Sequence, residues 1–189
     1  MRRYGADCVG IKCDDDGIIP EDLDSVITEQ KAKGKKVKYL YTIPAFQNPM
    51  GWTMSLERRK QVLGITGKHG IPVFEDDCYA DLRFSGENVT SFHSLDDTGR
   101  VIYVGSFSKI IAPGMRMGYL VAPKEVIARA WSFKSGGAVS QFTALTIAEF
   151  MKGNINRHIE EQNESLIAKR DAMVAALAEN FGSTVSCTV

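Results

Sequence analysis

Two serines, a lysine and an arginine stand close together between Val101 and Tyr119, in the stretch VIYVGSFSKIIAPGMRMGY. An apolar, β-branched run, Val101 to Val104, reads as a buried strand that breaks at Gly105 into Ser106, Ser108 and Lys109. Pro113-Gly114 turns the chain, Arg116 follows, and Tyr119-Leu120-Val121 reads as a further strand. A lysine at the end of a buried strand can reach a pocket, where burial lowers its pKa. The neutral amine then attacks a carbonyl and forms a Schiff base. The hydroxyls of Ser106 and Ser108, with the Arg116 guanidinium, suit a phosphate on the same molecule. An aldehyde carrying a phosphate describes pyridoxal phosphate. The same residues also fit a strand followed by a solvated Ser/Lys loop, and for such a loop taken alone that is the better description.

The elements around this stretch must position it. Ala6 to Cys13 reads as a short strand and Asp14 to Gly17 as a turn. Pro20-Glu21-Asp22 opens a helix, with proline and acids in its first turn, and Lys31 to Lys36 closes it with basic charge. Val37 to Ile43 is a strand ending in Pro44 to Gly51. A second helix runs from its N-cap Ser55 to Lys68, with Gly70 as a left-handed C-cap. Ile71 to Phe74 is the next strand and runs into Glu75-Asp76-Asp77-Cys78-Tyr79, while Ser85 to Arg100 is a polar connection of little signal. Helices follow over 124–133 and 140–151. A long helical pattern spans Asn154 to Asn180, with Ile159, Leu166, Ile167, Met173, Val174 and Leu177 as its apolar positions. Phe181 to Val189 reads as a turn and the beginning of a strand. Strands alternating with helices argue for an α/β domain with a largely parallel sheet. Ligands of such sheets bind outside the carboxyl ends of the strands, where the polar clusters around Asn48, Asp76 and Lys109 all fall.

Composition narrows the partners. The chain has 189 residues, 44% hydrophobic and 24% charged, with a formal net charge of zero. No nucleic-acid footprint or polybasic membrane patch is expected from that balance, and no apolar run reaches the length of a membrane span. Met1-Arg2-Arg3 is not followed by the apolar core of a secretion signal. The four cysteines, Cys8, Cys13, Cys78 and Cys187, have no zinc spacing and read as free cytosolic thiols. No metal site is expected. His69, His93 and His158 are scattered among polar neighbours and read as surface residues.

Four motifs in order carry a resemblance: Phe46-Gln-Asn-Pro-Met-Gly51, Phe74-Glu-Asp-Asp-Cys-Tyr79, Ser106-Phe-Ser-Lys109 and Pro113-Gly-Met-Arg-Met-Gly118. Together they resemble the fold-type I pyridoxal-phosphate enzymes, the class I/II aminotransferase family, over nearly the whole chain. The wording around Gln47-Asn48-Pro49 is most similar to the 2-aminoadipate and kynurenine aminotransferase branch, which also includes the effector domains of GntR/MocR-type regulators. The resemblance implies a three-layer α/β/α large domain with a mostly parallel sheet, incomplete here over residues 1–152. Residues 153–189 would form a connecting helix and the start of a C-terminal small domain. It implies a cytoplasmic homodimer in amino-acid metabolism that transfers amino groups between amino acids and 2-oxo acids. A lyase or decarboxylase on the same scaffold, or a regulator's effector domain, stands as the alternative.

Roles follow from the resemblance residue by residue. Lys109 would form the Schiff base with the cofactor and then, as a freed amine, move the substrate's α-proton. Asp76 would pair with the pyridine nitrogen and keep it protonated. Tyr79 and Asn48 would hydrogen-bond the phenolic oxygen, and Ser106, Ser108 and Arg116 would hold the phosphate. Gly114 and Gly118 would serve backbone geometry. Met50 and Cys78 depart from the family's usual residues at positions without essential chemistry; Cys78 reads as a small buried filler. Family members also carry an N-terminal glycine-containing helix start that binds phosphate, an aromatic that stacks on the ring and a small-domain arginine that grips carboxylate. None of these is in the sequence, which therefore reads as an internal piece of a larger enzyme with weak cofactor affinity on its own.

Overall fold

The computed structural model describes residues 5–187, so the Met1-Arg2-Arg3 segment and the final Thr188-Val189 lie outside the described residues. The chain divides into two compact units: Met1–Asp76 with Val89–Tyr103 and Val121–Lys124, and Asp77–Asn88 with Val104–Leu120 and Glu125–Val189.

The first unit holds the hydrophobic core. Its opening hairpin pairs β1 (Cys13–Asp14) with β2 (Gly17–Ile18), antiparallel, across a turn in which Asp14 Oδ1 accepts the Asp16 N–H at 2.9 Å and Gly17 takes φ +89°. The strand expected over Ala6 to Cys13 is thus only its last residue. The segment before it has no strand alongside, and its Val9 is exposed. Helix α1 (Pro20–Ala32) has proline at its start, Glu21 and Asp22 in its first turn and Lys31 in its last. The lysines at its end are largely paired: Lys33 with Glu29 and Lys35 with Asp7 at 2.8 Å. Helix α2 (Leu56–His69) is capped by Ser55, whose Oγ accepts the Arg58 N–H, and stopped by Gly70 at φ 67°.

Strand β3 (Leu40–Thr42) is shorter than the 37–43 expected, because pairing begins only where β4 (Val73–Asp76) lies alongside, parallel, with Leu40 opposite Val73. Between them and the helices pack Leu23, Ile27, Leu40, Met54, Val62, Ile71, Val73 and Val101, all buried. Each such side chain contributes about 1.5–3 kcal/mol of transfer free energy. The polar connection contains a short helix, α3 (Phe92–Leu95), capped by Ser91 and seating Phe92 wholly inside.

Strands β5 (Val101–Ser106) and β6 (Gly118–Val121) complete a sheet of order β3-β4-β5-β6. Val73 N–H donates to Arg100 O and Asp77 N–H to Val104 O. That constant offset between the two partners marks β4 and β5 as parallel.

The second unit carries α4 (Lys124–Phe133), α5 (Gln141–Met151) and α6 (Ile155–Phe181). Ser140 caps α5 through the Thr143 N–H. Among the described residues there, only Ile110 and Ile147 are buried hydrophobics, and Trp131, Phe133, Phe142 and Leu145 are exposed. Along α6 the half-buried positions 155, 158, 159, 162, 163, 166, 167, 170, 174 and 177 recur at helical spacing, but Met173, expected on the apolar stripe, is exposed. A 3-10 turn (Gly182–Thr184) follows α6, and no strand forms through Cys187. No described helix is long and apolar enough to cross a membrane.

Candidate active site

The candidate residues fall in both units. In the first, Asp76 is the last residue of β4 and Asn48 lies in the loop after β3. Alternation along β4 explains how Asp76 is presented. Val73 and Glu75 point to the buried face, Phe74 and Asp76 to the other, half-buried one. Tyr41 sits opposite Phe74, so its phenol lies on the face of Asp76 and donates to Asp76 Oδ2 at 2.6 Å. Sequence reasoning missed Tyr41; the signal was its place on the same strand face, legible only once the register is known.

Glu75 is wholly buried and fastens the end of β4 from the opposite side. Its carboxylate accepts the main-chain N–H of Phe92 at 2.7 Å and of His93 at 2.8 Å, at the start of α3. Arg59, 2% exposed, stands 4.0 Å from it and donates to the carbonyls of Met54 (3.0 Å), Thr90 (3.1 Å) and Pro44 (3.1 Å). The charge that Glu75 brings inside is thereby matched, and the Pro44 carbonyl that opens the Asn48 loop is held by the same guanidinium. Asn48 itself is exposed and forms a cis bond to Pro49. The loop is closed by Gln47 N–H to Trp52 O at 2.9 Å, Met50 N–H to Gln47 Oε1 at 2.8 Å and Phe46 N–H to Thr53 Oγ1 at 3.1 Å.

In the second unit Ser106 ends β5, and its Oγ accepts the Ser108 N–H at 3.2 Å. Lys109 follows in a turn anchored by the buried Ile110. Its Nζ lies 6.0 Å from the centre of the half-buried Tyr79 ring, so these two predicted residues are brought together. Lys109 is exposed, and the expected burial of its amine is not found in this chain. Arg116 is exposed, holds φ 51° and donates from Nη1 to Pro113 O at 3.1 Å, leaving the rest of its guanidinium edge open.

Gly118 does serve backbone geometry, since a Cβ there would stand 2.9 Å from Gly105 O. Gly105 was missed: a Cβ there would meet the Tyr119 ring at 2.1 Å. Gly114 has open space around it and no positive φ, so nothing requires a glycine there. From α6, Gln162 Nε2 donates to Lys109 O at 2.7 Å and Asn163 Nδ2 to Asp81 O at 3.0 Å. Polar amides on an inward helical stripe were the sequence signal for this pair.

Elsewhere the histidines depart from expectation. His69 is largely buried with Nε2 2.5 Å from Asp24, and His158 meets the Phe150 ring edge-on at 5.2 Å. Both lie between packed helices rather than at the surface. Among the described residues no cysteine is in a disulfide, and Cys78 is half-buried. Among the described residues no cluster could hold a metal ion.

The donor set fits a phosphorylated aldehyde. Two hydroxyls and an open guanidinium edge beyond one strand can hold a phosphate. Within the second unit an amine three residues past Ser106 can reach a carbonyl; within the first, taken by itself, a strand-end carboxylate held by a phenol can pair with a ring N–H.

Comparison with known proteins agrees. The sequence profile described as Aminotransferase class I and II matches residues 1–188. Aromatic-amino-acid aminotransferase 1 of Thermococcus litoralis is 38% identical over all of this chain and 46% of its own length. The uncharacterised HTH-type transcriptional regulator YisV of Bacillus subtilis is 34% identical over 92% of this chain and 35% of its own. A crystal structure of Pyrococcus horikoshii kynurenine aminotransferase, in complex with PMP, superposes with a TM-score of 0.81 at 38% identity, covering 92% of this chain and 43% of that one. The chain thus spans about half the length of the aminotransferases it matches, and the expected α/β fold with a mostly parallel sheet is theirs. The chain belongs to the class I and II aminotransferase family.

Proposed function

We propose that this chain carries the cofactor-binding part of a pyridoxal-phosphate-dependent aminotransferase, which moves the amino group of an amino acid to a 2-oxo acid. The observation that carries the reading is the run from Ser106 to Lys109 at the end of β5, with the Lys109 amine facing the Tyr79 ring at 6.0 Å. Pyridoxal phosphate supplies a ring that withdraws electrons from the substrate's α-carbon.

The residues around it bind, orient and move protons. Ser106, Ser108 and Arg116 hold the phosphate by charge-assisted hydrogen bonds. The Lys109 amine would hold the aldehyde carbon of the cofactor and, as a free amine, would move the substrate's α-proton. Asp76 keeps a proton on the pyridine nitrogen, and the Tyr41 hydroxyl at 2.6 Å orients its carboxylate. Tyr79 and Asn48 donate to the phenolic oxygen. Residues 1–152 then belong to a large domain and 153–189 to the connection into a small one, in a cytoplasmic homodimer with amino-acid and 2-oxo-acid substrates and no nucleic-acid or membrane partner.

The regulator reading is favoured by one observation, the 34% identity to YisV. Amino-acid-dependent formation of 2-oxo acid by the holoprotein separates the two. Turnover that disappears in Lys109→Ala supports the aminotransferase. Cofactor bound at Lys109 without turnover by the whole protein over a panel of amino acids supports the effector domain.

A further inference from the structure

We propose that Gln162 is a positioning residue for Lys109, an inference that rests on the cofactor reading above. Among the described residues, the turn after β5 leaves the Lys109 carbonyl without a main-chain donor. In a helical turn the carbonyl of residue i is met by the N–H of residue i+4. Four residues past Lys109 stands Pro113, which has no N–H. The amides of Ile111 and Ala112 both turn back to Phe107 O, at 2.9 and 3.2 Å. Among the described residues no main-chain N–H donates to Lys109 O. Gln162 Nε2 does, at 2.7 Å.

The neighbouring side chain acts on the other segment. Asn163 Nδ2 donates to the carbonyl of Asp81, two residues past Tyr79, at 3.0 Å. Two consecutive residues of α6 therefore hold the main chain of both segments whose side chains meet at the Lys109 amine and the Tyr79 ring. Position 162 lies on the half-buried stripe of α6, between Ile159 and Leu166. An aliphatic residue would suit that stripe better by transfer free energy. The amide answers a different need: a carbonyl only accepts, so a donor must face it, and a long neutral side chain reaches it without adding charge beside the lysine. Lysine's four-carbon stem is flexible. Holding its carbonyl fixes where that stem starts, and so narrows the volume its Nζ samples.

The test uses the full chain with Gln162→Leu and Gln162→Glu. Hydrogen exchange of the apo chain reads the clip without any cofactor. Losing one hydrogen bond predicts exchange about three- to tenfold faster at the Ile111 and Ala112 amides. Borohydride trapping of pyridoxal phosphate reads the lysine: the rate of labelling at Lys109 falls at least about threefold in both variants, the scale of one lost hydrogen bond. In Gln162→Glu a carboxylate faces the carbonyl near neutral pH. As the solution approaches the ordinary glutamic acid pKa of about 4.3, its protonated form becomes a donor again. Labelling relative to the unsubstituted chain therefore recovers as the pH falls from about 7.5 to about 4.3, where about half of the side chain is protonated, which a merely structural loss does not do. If Gln162→Leu fails to fold, that recovery in Gln162→Glu decides. Exchange and labelling within twofold of the unsubstituted chain, or no recovery at low pH, overturns the proposal while leaving the cofactor reading in place. Absence of labelling at Lys109 in the unsubstituted chain overturns the cofactor reading and the role of Gln162 with it.

Discussion

Arg59→Leu should be among the most damaging single changes to the first unit, although Arg59 lies outside the candidate chemistry. The substitution keeps bulk in the core but removes the guanidinium from a site only 2% exposed. The main-chain carbonyls of Met54 and Thr90 lose the guanidinium donor, Pro44 O keeps only the Met54 N–H, and the wholly buried Glu75 loses the positive charge 4.0 Å away. Stripping one partner from a buried ion pair costs about 3–5 kcal/mol, out of about 5–15 kcal/mol for a whole domain. The carbonyls overlap with that figure rather than adding to it, because the same guanidinium serves all of them. At about 1.4 kcal/mol per tenfold, the folded-to-unfolded ratio should fall by at least about a hundredfold. With a urea dependence of about 1–3 kcal/mol per molar, the unfolding midpoint should drop by about 1 M or more. Lys60→Ala, an exposed neighbour on the same helix, is the control and should stay within about 0.5 kcal/mol. A midpoint for Arg59→Leu that matches the control would refute the view that Arg59 and Glu75 brace the end of β4.

Other outcomes follow from the same geometry. Gly105→Ala places a Cβ 2.1 Å from the Tyr119 ring; it should cost about 1–3 kcal/mol by overpacking, and a second change, Tyr119→Ala, should recover most of that in an unfolding titration. Tyr41→Phe removes the 2.6 Å bond to Asp76 and should weaken pyridoxal phosphate binding by up to about tenfold, the scale of one hydrogen bond, as read by absorbance titration. Stability should fall in acid. Burial raises the Asp96 pKa, but hydrogen bonds from Thr98 and from the main-chain N–H of Val101 and Arg100 outweigh it and hold the carboxyl below its ordinary value. A depressed folded pKa gives stability that is complete above the unfolded value, about 3.9, and is lost as pH falls through the folded one. Asp96→Asn should flatten the thermal-unfolding profile below about pH 4, where Asp96 titrates.

Much of the frame was readable because local chemistry and tertiary context agree. Pro20 with Glu21 and Asp22, Ser55 with Gly70, and Ser140 before α5 mark helix ends that the structure keeps. The strands were overextended at 6–13 and 37–43 because alternation of apolar residues says nothing about where a partner strand lies. Helix α3 was invisible: four residues carry no periodicity, and it forms because Glu75 receives its first amides. Ser106, Ser108, Lys109 and Arg116 stand out in the sequence because they crowd into one short stretch. Tyr41 and Gln162 are distant in sequence from the groups they touch, and only strand register and helix face reveal them.

The central claim is tested most directly by trapping. The chain is titrated with pyridoxal phosphate, reduced with borohydride and mapped by peptide, with Lys109→Ala alongside. The account predicts a saturable absorbance band and a single reduced adduct on Lys109, both absent from the variant. Adducts spread over surface lysines, unchanged by Lys109→Ala, would contradict it.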